Sequence, residues 1–168
     1  HLDGAAEPME LMLAGVLHTH LRDASAPAQQ ARRARLRDPK TQRALSVVLG
    51  YLAQCGHQQQ AEARAALRLG LNTIIGDSLN ENLISLPDDQ AVLADHWLQA
   101  LAHLDGLTFD NKRKLLSAMV ATVRHDGKIT ALEGELLRCI AACVHVPLAP
   151  FVKPQTVAQA AADNRSAA

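Results

Sequence analysis

Residues 108–145 read TFDNKRKLLSAMVATVRHDGKITALEGELLRCIAACVH, and their punctuation decides the fold. Thr108 caps a run in which Leu115, Leu116, Met119, Val120 and Val123 recur at the three-and-four spacing of one helix face. Asp126-Gly127 stops that run, because glycine enters the left-handed conformation that ends a helix without a steric penalty. Thr130 and Glu133 form a T-x-x-E capping box for the next helix, with Ile129 placed to staple onto its first turn. Leu132, Leu136, Leu137, Ile140 and Val144 make its apolar stripe, and Pro147 and Pro150 forbid its continuation.

The same grammar extends upstream. Asp88 or Asp89 caps a helix carrying Val92, Leu93, Trp97, Leu101 and Leu104, which Asp105-Gly106 ends. Three helices joined by turns this short pack as neighbours. Asp38-Pro39 starts a helix through Leu45, Val48, Leu49 and Leu52 to a stop at Gly56. Gln58 to Ile75 follows, with Ala61, Ala65, Leu67, Leu71 and Ile74 or Ile75 as its apolar positions and Gly76 as its end. Pro8 opens a first helix whose stripe is Met9, Leu13, Val16, Leu17 and Leu21. Gln29 to Leu36 is predicted as a short Arg-rich helix. Asp77 to Pro87 has no clear period. Val, Ile and Thr never alternate with polar residues over a useful length, so no strand is expected. The fold class is all-α, a bundle of six or seven helices with short connections and no sheet. Its parts are an N-terminal helix or arm at 1–25, the bundle at 26–152 and a flexible tail at 153–168.

Composition narrows the function. The chain has 168 residues, of which 48% are hydrophobic and 20% charged, a globular balance. Seventeen Lys and Arg residues meet 17 Asp and Glu residues, so the basic excess of a nucleic-acid binder is missing. Four aromatics, Tyr51, Trp97, Phe109 and Phe151, are too few for a base-stacking platform. Cys55, Cys139 and Cys143 do not make a disulfide framework and fit a reducing compartment. No apolar run reaches the ~18 residues that span a bilayer. The chain starts at His1 rather than Met, which reads as a fragment or processed form of something longer.

Catalytic signatures are missing too. The chain has no H-E-x-x-H, no glycine-rich phosphate loop and no G-x-S-x-G elbow. Asp126, Glu133 and Glu135 are candidate oxygens for a divalent ion, but helix capping accounts for the turn more simply. Eight histidines show no convergent cluster. His18 and His20 point apart, and His96 and His103 share a face two turns from each other. Arg32, Arg33, Arg35, Arg37 and Lys40 form a basic patch suited to an anionic membrane surface or an acidic partner, or to a solvated helix face. Trp97, between Leu93 and Leu101, reads as core.

Residues 104–151 resemble the C-terminal end of a group of bacterial HtpX-type membrane zinc metallopeptidases. There, a K-x-x-LL helix precedes D-G-x-[IV]-T-x-x-E-x-ELLR and a Pro-Leu-x-Pro close. Here these elements are Lys112 to Leu116, Asp126 to Arg138 and Pro147 to Pro150. The run from Ala44 to Ala53, with Gly56 and Ala61 to Gly70, is similar to the region before it. Residues 88–152 also resemble the three-helix TerB-like domains of tellurite resistance, in which acidic residues of the helix pair are linked to metal. The first resemblance implies a soluble tail on the cytoplasmic side of the bacterial inner membrane. The zinc and the H-E-x-x-H would lie elsewhere in the parent, leaving no enzyme chemistry and no cofactor in this part. The implied role is a regulatory interaction domain that contacts a protein substrate, a partner or the parent's catalytic domain, with peripheral membrane contact and self-association open. The second implies the alternative, a stand-alone divalent-metal-binding stress-response domain using Asp126 and Glu133.

Overall fold

Leu45, Val48, Leu49 and Leu52 form one fully buried face of their helix, and Gly50, Tyr51 and Ala53 extend the burial around it. A helix apolar on most of its circumference is stable only when other helices surround it. The computed structural model describes residues 8–25, 34–86, 90–146 and 148, with the side chains of residues 90–94 left out. The described residues form six α-helices, in order α1 (Pro8–Ser25), α2 (Pro39–Gly56), α3 (Gln60–Ile75), α4 (Gln90–Leu104), α5 (Phe109–Val123) and α6 (Ala131–Cys143). Two 3-10 turns, Gly76–Ser78 and Glu81–Leu83, join α3 to α4. The bundle is all-α, and α2 is its axis, touching α3, α4, α5, α6 and the second turn. Each fully buried leucine contributes roughly 1.5–3 kcal/mol relative to exposure.

The helix boundaries follow from local chemistry. Thr108 accepts a hydrogen bond from the Asn111 amide, and Pro39 occupies the first turn of α2. Asp38 holds the N-cap conformation of α2 without a side-chain cap bond. Gly127 is left-handed, with φ 77°, at the stop between α5 and α6. Trp97 is completely buried and meets the Tyr51 ring at 4.9 Å, so it is core.

Several expectations are corrected. The last three helices do not pack chiefly on one another: α4 lies mainly against α2 and α5 mainly against α3. The first helix turns the other way: Leu11, Met12, Gly15 and Thr19 face the bundle, while of the expected stripe Met9, Leu13, Leu17 and Leu21 are exposed and only Val16 packs partly on the core. Ala61 and Ala65 of α3 are exposed, and its inner face is Ala63, Ala66, Leu67, Gly70, Leu71 and Ile74. Ile129 and Leu132 are also exposed, so the staple does not bury its apolar group. The helix expected over Gln29 to Leu36 does not include its last three residues. Ala34 instead donates to the Gly106 carbonyl at 3.0 Å and forms an isolated parallel bridge with Leu107. Residues 29–33 of that stretch lie outside the described residues, as do the caps assigned to Asp88 or Asp89, Pro147, Pro150 and the 153–168 tail.

Two glycines are fixed by packing rather than by backbone conformation. A Cβ on Gly56 would fall 1.9 Å from Glu133 Oε1. One on Gly70 would fall 2.0 Å from Thr122 Oγ1 and 3.2 Å from the Ala118 carbonyl oxygen. Thr122 is fully buried and donates its hydroxyl to that same carbonyl. The absence of a side chain at Gly70 therefore sets how closely α3 and α5 approach. Gly70→Ala gains up to ~1 kcal/mol of helix propensity. The overpacking is expected to cost more, leaving a net loss of ~1–3 kcal/mol. Urea denaturation should show this loss, and adding Thr122→Ala should recover part of it.

Candidate interaction groove

A groove of about 520 Å³ opens between α2, the second 3-10 turn and α4. Its floor is apolar, made by Ala44, Val47, Leu83, Leu86 and Ala100. Lys40 and Arg43 from α2 and His96 and His103 from α4 rim it, and Ser46, Asn82, Ser85 and Gln99 add neutral polar groups. No described residue lining it is a carboxylate. The Ser46 hydroxyl donates to the Leu83 carbonyl, and this fastens the turn to α2 and shapes the wall. Concave, mainly apolar surfaces with a few placed polar groups are the usual form of a binding site. Here the charged members all have one sign.

His103 anchors the inner end of the groove. Its Nε2 lies 2.9 Å from the hydroxyl of Thr41, which is fully buried. Burial, with Lys40 nearby, holds the imidazole below its ordinary pKa, while Asp38 pulls weakly the other way. His103 is therefore a neutral hydrogen-bonding group at neutral pH, and Lys40 and Arg43 carry the positive charge. Of the basic patch, Lys40 lines this groove, Arg35 and Arg37 are exposed, and Arg32 and Arg33 lie outside the described residues. The helical spacing of His96 and His103 is legible in sequence. Their meeting with Lys40 and Arg43 is not, because it depends on α2 packing against α4.

The carboxylates of the turn before α6 are engaged locally. Asp126 Oδ1 accepts from the Lys128 amide at 2.9 Å. Glu133 is only 2% exposed; its Oε2 accepts from the Thr130 amide and hydroxyl, each at 2.8 Å. The Glu133 amide donates back to Thr130 Oγ1, completing the capping box. Glu135 pairs with Arg138 on the surface. Among the described residues, no three His, Cys, Asp or Glu side chains converge as a metal site would require.

A second polar cluster lies where the ends of α1, α4 and α6 meet. Asp105 accepts from Arg22 at 2.7 Å, from Lys112 at 2.9 Å and from His145 Nδ1 at 2.8 Å. His145 Nε2 reaches Asp23 at 2.8 Å. Burial opposes ionisation of Asp105, but hydrogen bonds from Lys112 and His145 outweigh it and hold the carboxyl below its usual range. In return, Asp105 and then Asp23 raise the pKa of His145. His145 has φ 57°, the left-handed position that closes α6, with Val146 N–H donating to the Ala141 carbonyl and His145 N–H to that of Ala142.

Comparison with protein-family models, curated proteins and solved structures returns no match.

Two outcomes are expected. Excess calcium leaves the melting temperature unchanged, while Glu133→Gln lowers it equally with and without calcium, because the lesion is in the cap. A calcium-dependent rise that Glu133→Gln abolishes would contradict this. The His145 contribution follows from its raised pKa. It is complete below the ordinary value of 6.5 and disappears as pH rises through the higher folded-state value. Wild type should therefore lose more thermal stability than His145→Asn between about pH 6 and about pH 9. Parallel curves would contradict this.

Proposed function

We propose that this chain is a non-catalytic interaction domain of a bacterial HtpX-type membrane zinc metallopeptidase. It acts by seating a segment of a protein substrate, or of the parent's catalytic domain, in the α2–α4 groove. The observation that carries the binding mechanism is the groove itself, with an apolar floor under Lys40, Arg43, His96 and His103 and no described carboxylate in its lining. The likeness of residues 104–151 to the tail of those peptidases supplies the parent. The H-E-x-x-H and its zinc belong to that parent, and the domain lies on the cytoplasmic side of the inner membrane. Among the described residues, no helix is long and apolar enough to cross a membrane.

In this arrangement the apolar floor supplies affinity and the cationic rim selects an acidic segment and speeds its encounter. Lys40 and Arg43 are exposed and hold little of the core, so their charge can be reversed without unfolding the bundle.

An antibody against the domain tests the parentage. One band much heavier than 18.1 kDa in the membrane pellet is expected, and a soluble band near 18.1 kDa would overturn it. The groove is tested in the intact peptidase with Lys40→Glu combined with Arg43→Glu. Turnover of a folded protein substrate should fall at least about tenfold, with hydrolysis of a short peptide unchanged. Equal rates on the protein substrate would remove the groove from the mechanism.

A further inference from the structure

α1 has two apolar faces, and the bundle uses one of them. Leu11 and Met12 are buried against the core, with Gly15 and Thr19 on the same side, packed on α6 and α4. On the opposite side, Met9 is 69%, Leu13 60%, Leu17 52% and Leu21 69% exposed. These four stand at uniform four-residue intervals, so they form one ridge that winds about 120° around the helix.

We propose that this ridge is the interface of a two-fold dimer, in which α1 lies antiparallel against α1 of a second copy of the chain. A ridge of four-residue steps is self-complementary. The ridges of two such helices interleave at about −50°, the commonest helix–helix crossing. A two-fold axis midway along the ridge sets Leu13 against the second copy's Leu17 and Met9 against the second copy's Leu21.

The area suits this occupant. At roughly 180 Å² for a fully exposed residue of this size, the ridge offers ~450 Å² on each copy. Two copies bury ~900 Å² from the ridge alone, close to the ~1,000 Å² that a specific interface needs, before any flanking residue is added. Charge argues against an anionic membrane as the occupant. The outward face carries Glu10 and His20 beside the ridge, and the only arginine of α1, Arg22, is turned into the Asp105 cluster. Interfacial helices instead flank their apolar face with lysine and arginine. The proposal is independent of the α2–α4 groove.

The test is sedimentation equilibrium of the full chain from about 1 to about 200 μM, a range that brackets a micromolar dissociation constant. The expected mass is twice 18.1 kDa at the upper end. Leu13→Glu with Leu17→Glu should raise the dissociation constant at least about tenfold and leave the far-ultraviolet circular dichroism helical. Leu69→Glu, at an exposed apolar residue of α3, should leave association unchanged. A wild-type chain of monomer mass throughout would overturn the proposal. So would a dimer that survives the double substitution, or one that Leu69→Glu disrupts equally. Flotation of a monomeric chain with phosphatidylglycerol vesicles would assign the ridge to lipid and overturn it as well.

Discussion

Because α2 buries residues on most of its circumference, every other described helix except α1 is placed by contact with it. Such an axis leaves little room for bulky neighbours where helices cross closely, and the chain meets that limit with small residues. Gly70 lets α3 approach α5, and Gly56 lets the end of α2 approach the buried Glu133 at the start of α6. Glu133 is consequently both a cap and a packing element. Its Oε2 accepts from the Thr130 amide and hydroxyl, and these bonds offset part of the cost of burying it.

The ends of the bundle are held differently. Around Asp105, three cationic groups from separate elements share one carboxylate, and this network ties α1 to the end of α6. Beside the groove, Thr41 and His103 join α2 to α4 without a formal charge. The polar ties therefore sit around the apolar axis. The outer ridge of α1 stands on a packed helix, and the groove stands on α2, α4 and a 3-10 turn that Ser46 fastens to α2, which limits the reorganisation binding would require.

Much of this was legible in the sequence where the signal is local. The capping box at Thr130 and Glu133, the stop at Gly127 and the cap at Thr108 each depend on a few consecutive residues. Which face of a helix turns inward was less legible. α1 is apolar on two sides, so periodicity alone chose the more regular stripe, which is the exposed one. The same ambiguity misplaced Ala61 and Ala65, since alanine is at home on either face of a helix. The Asp105 network was invisible, because Arg22 and His145 lie 83 and 40 residues from it along the chain. The groove was half legible, with the histidines sharing a helical face and the cations arriving from another helix.

The cysteines of α6 offer a view of motion. Cys139 Sγ donates to the Met12 carbonyl of α1, and a Cβ on Gly15 would lie 3.5 Å from Cys143 Sγ, so α1 roofs both thiols. The neighbouring Cys139 and Thr19 hold the Cys143 thiol below its ordinary pKa against the opposing effect of burial, and its residue is only 1% exposed. A thiol covered in this way reacts only when its cover lifts. The rate at which an alkylating reagent consumes Cys143 is therefore a clock for the opening of α1.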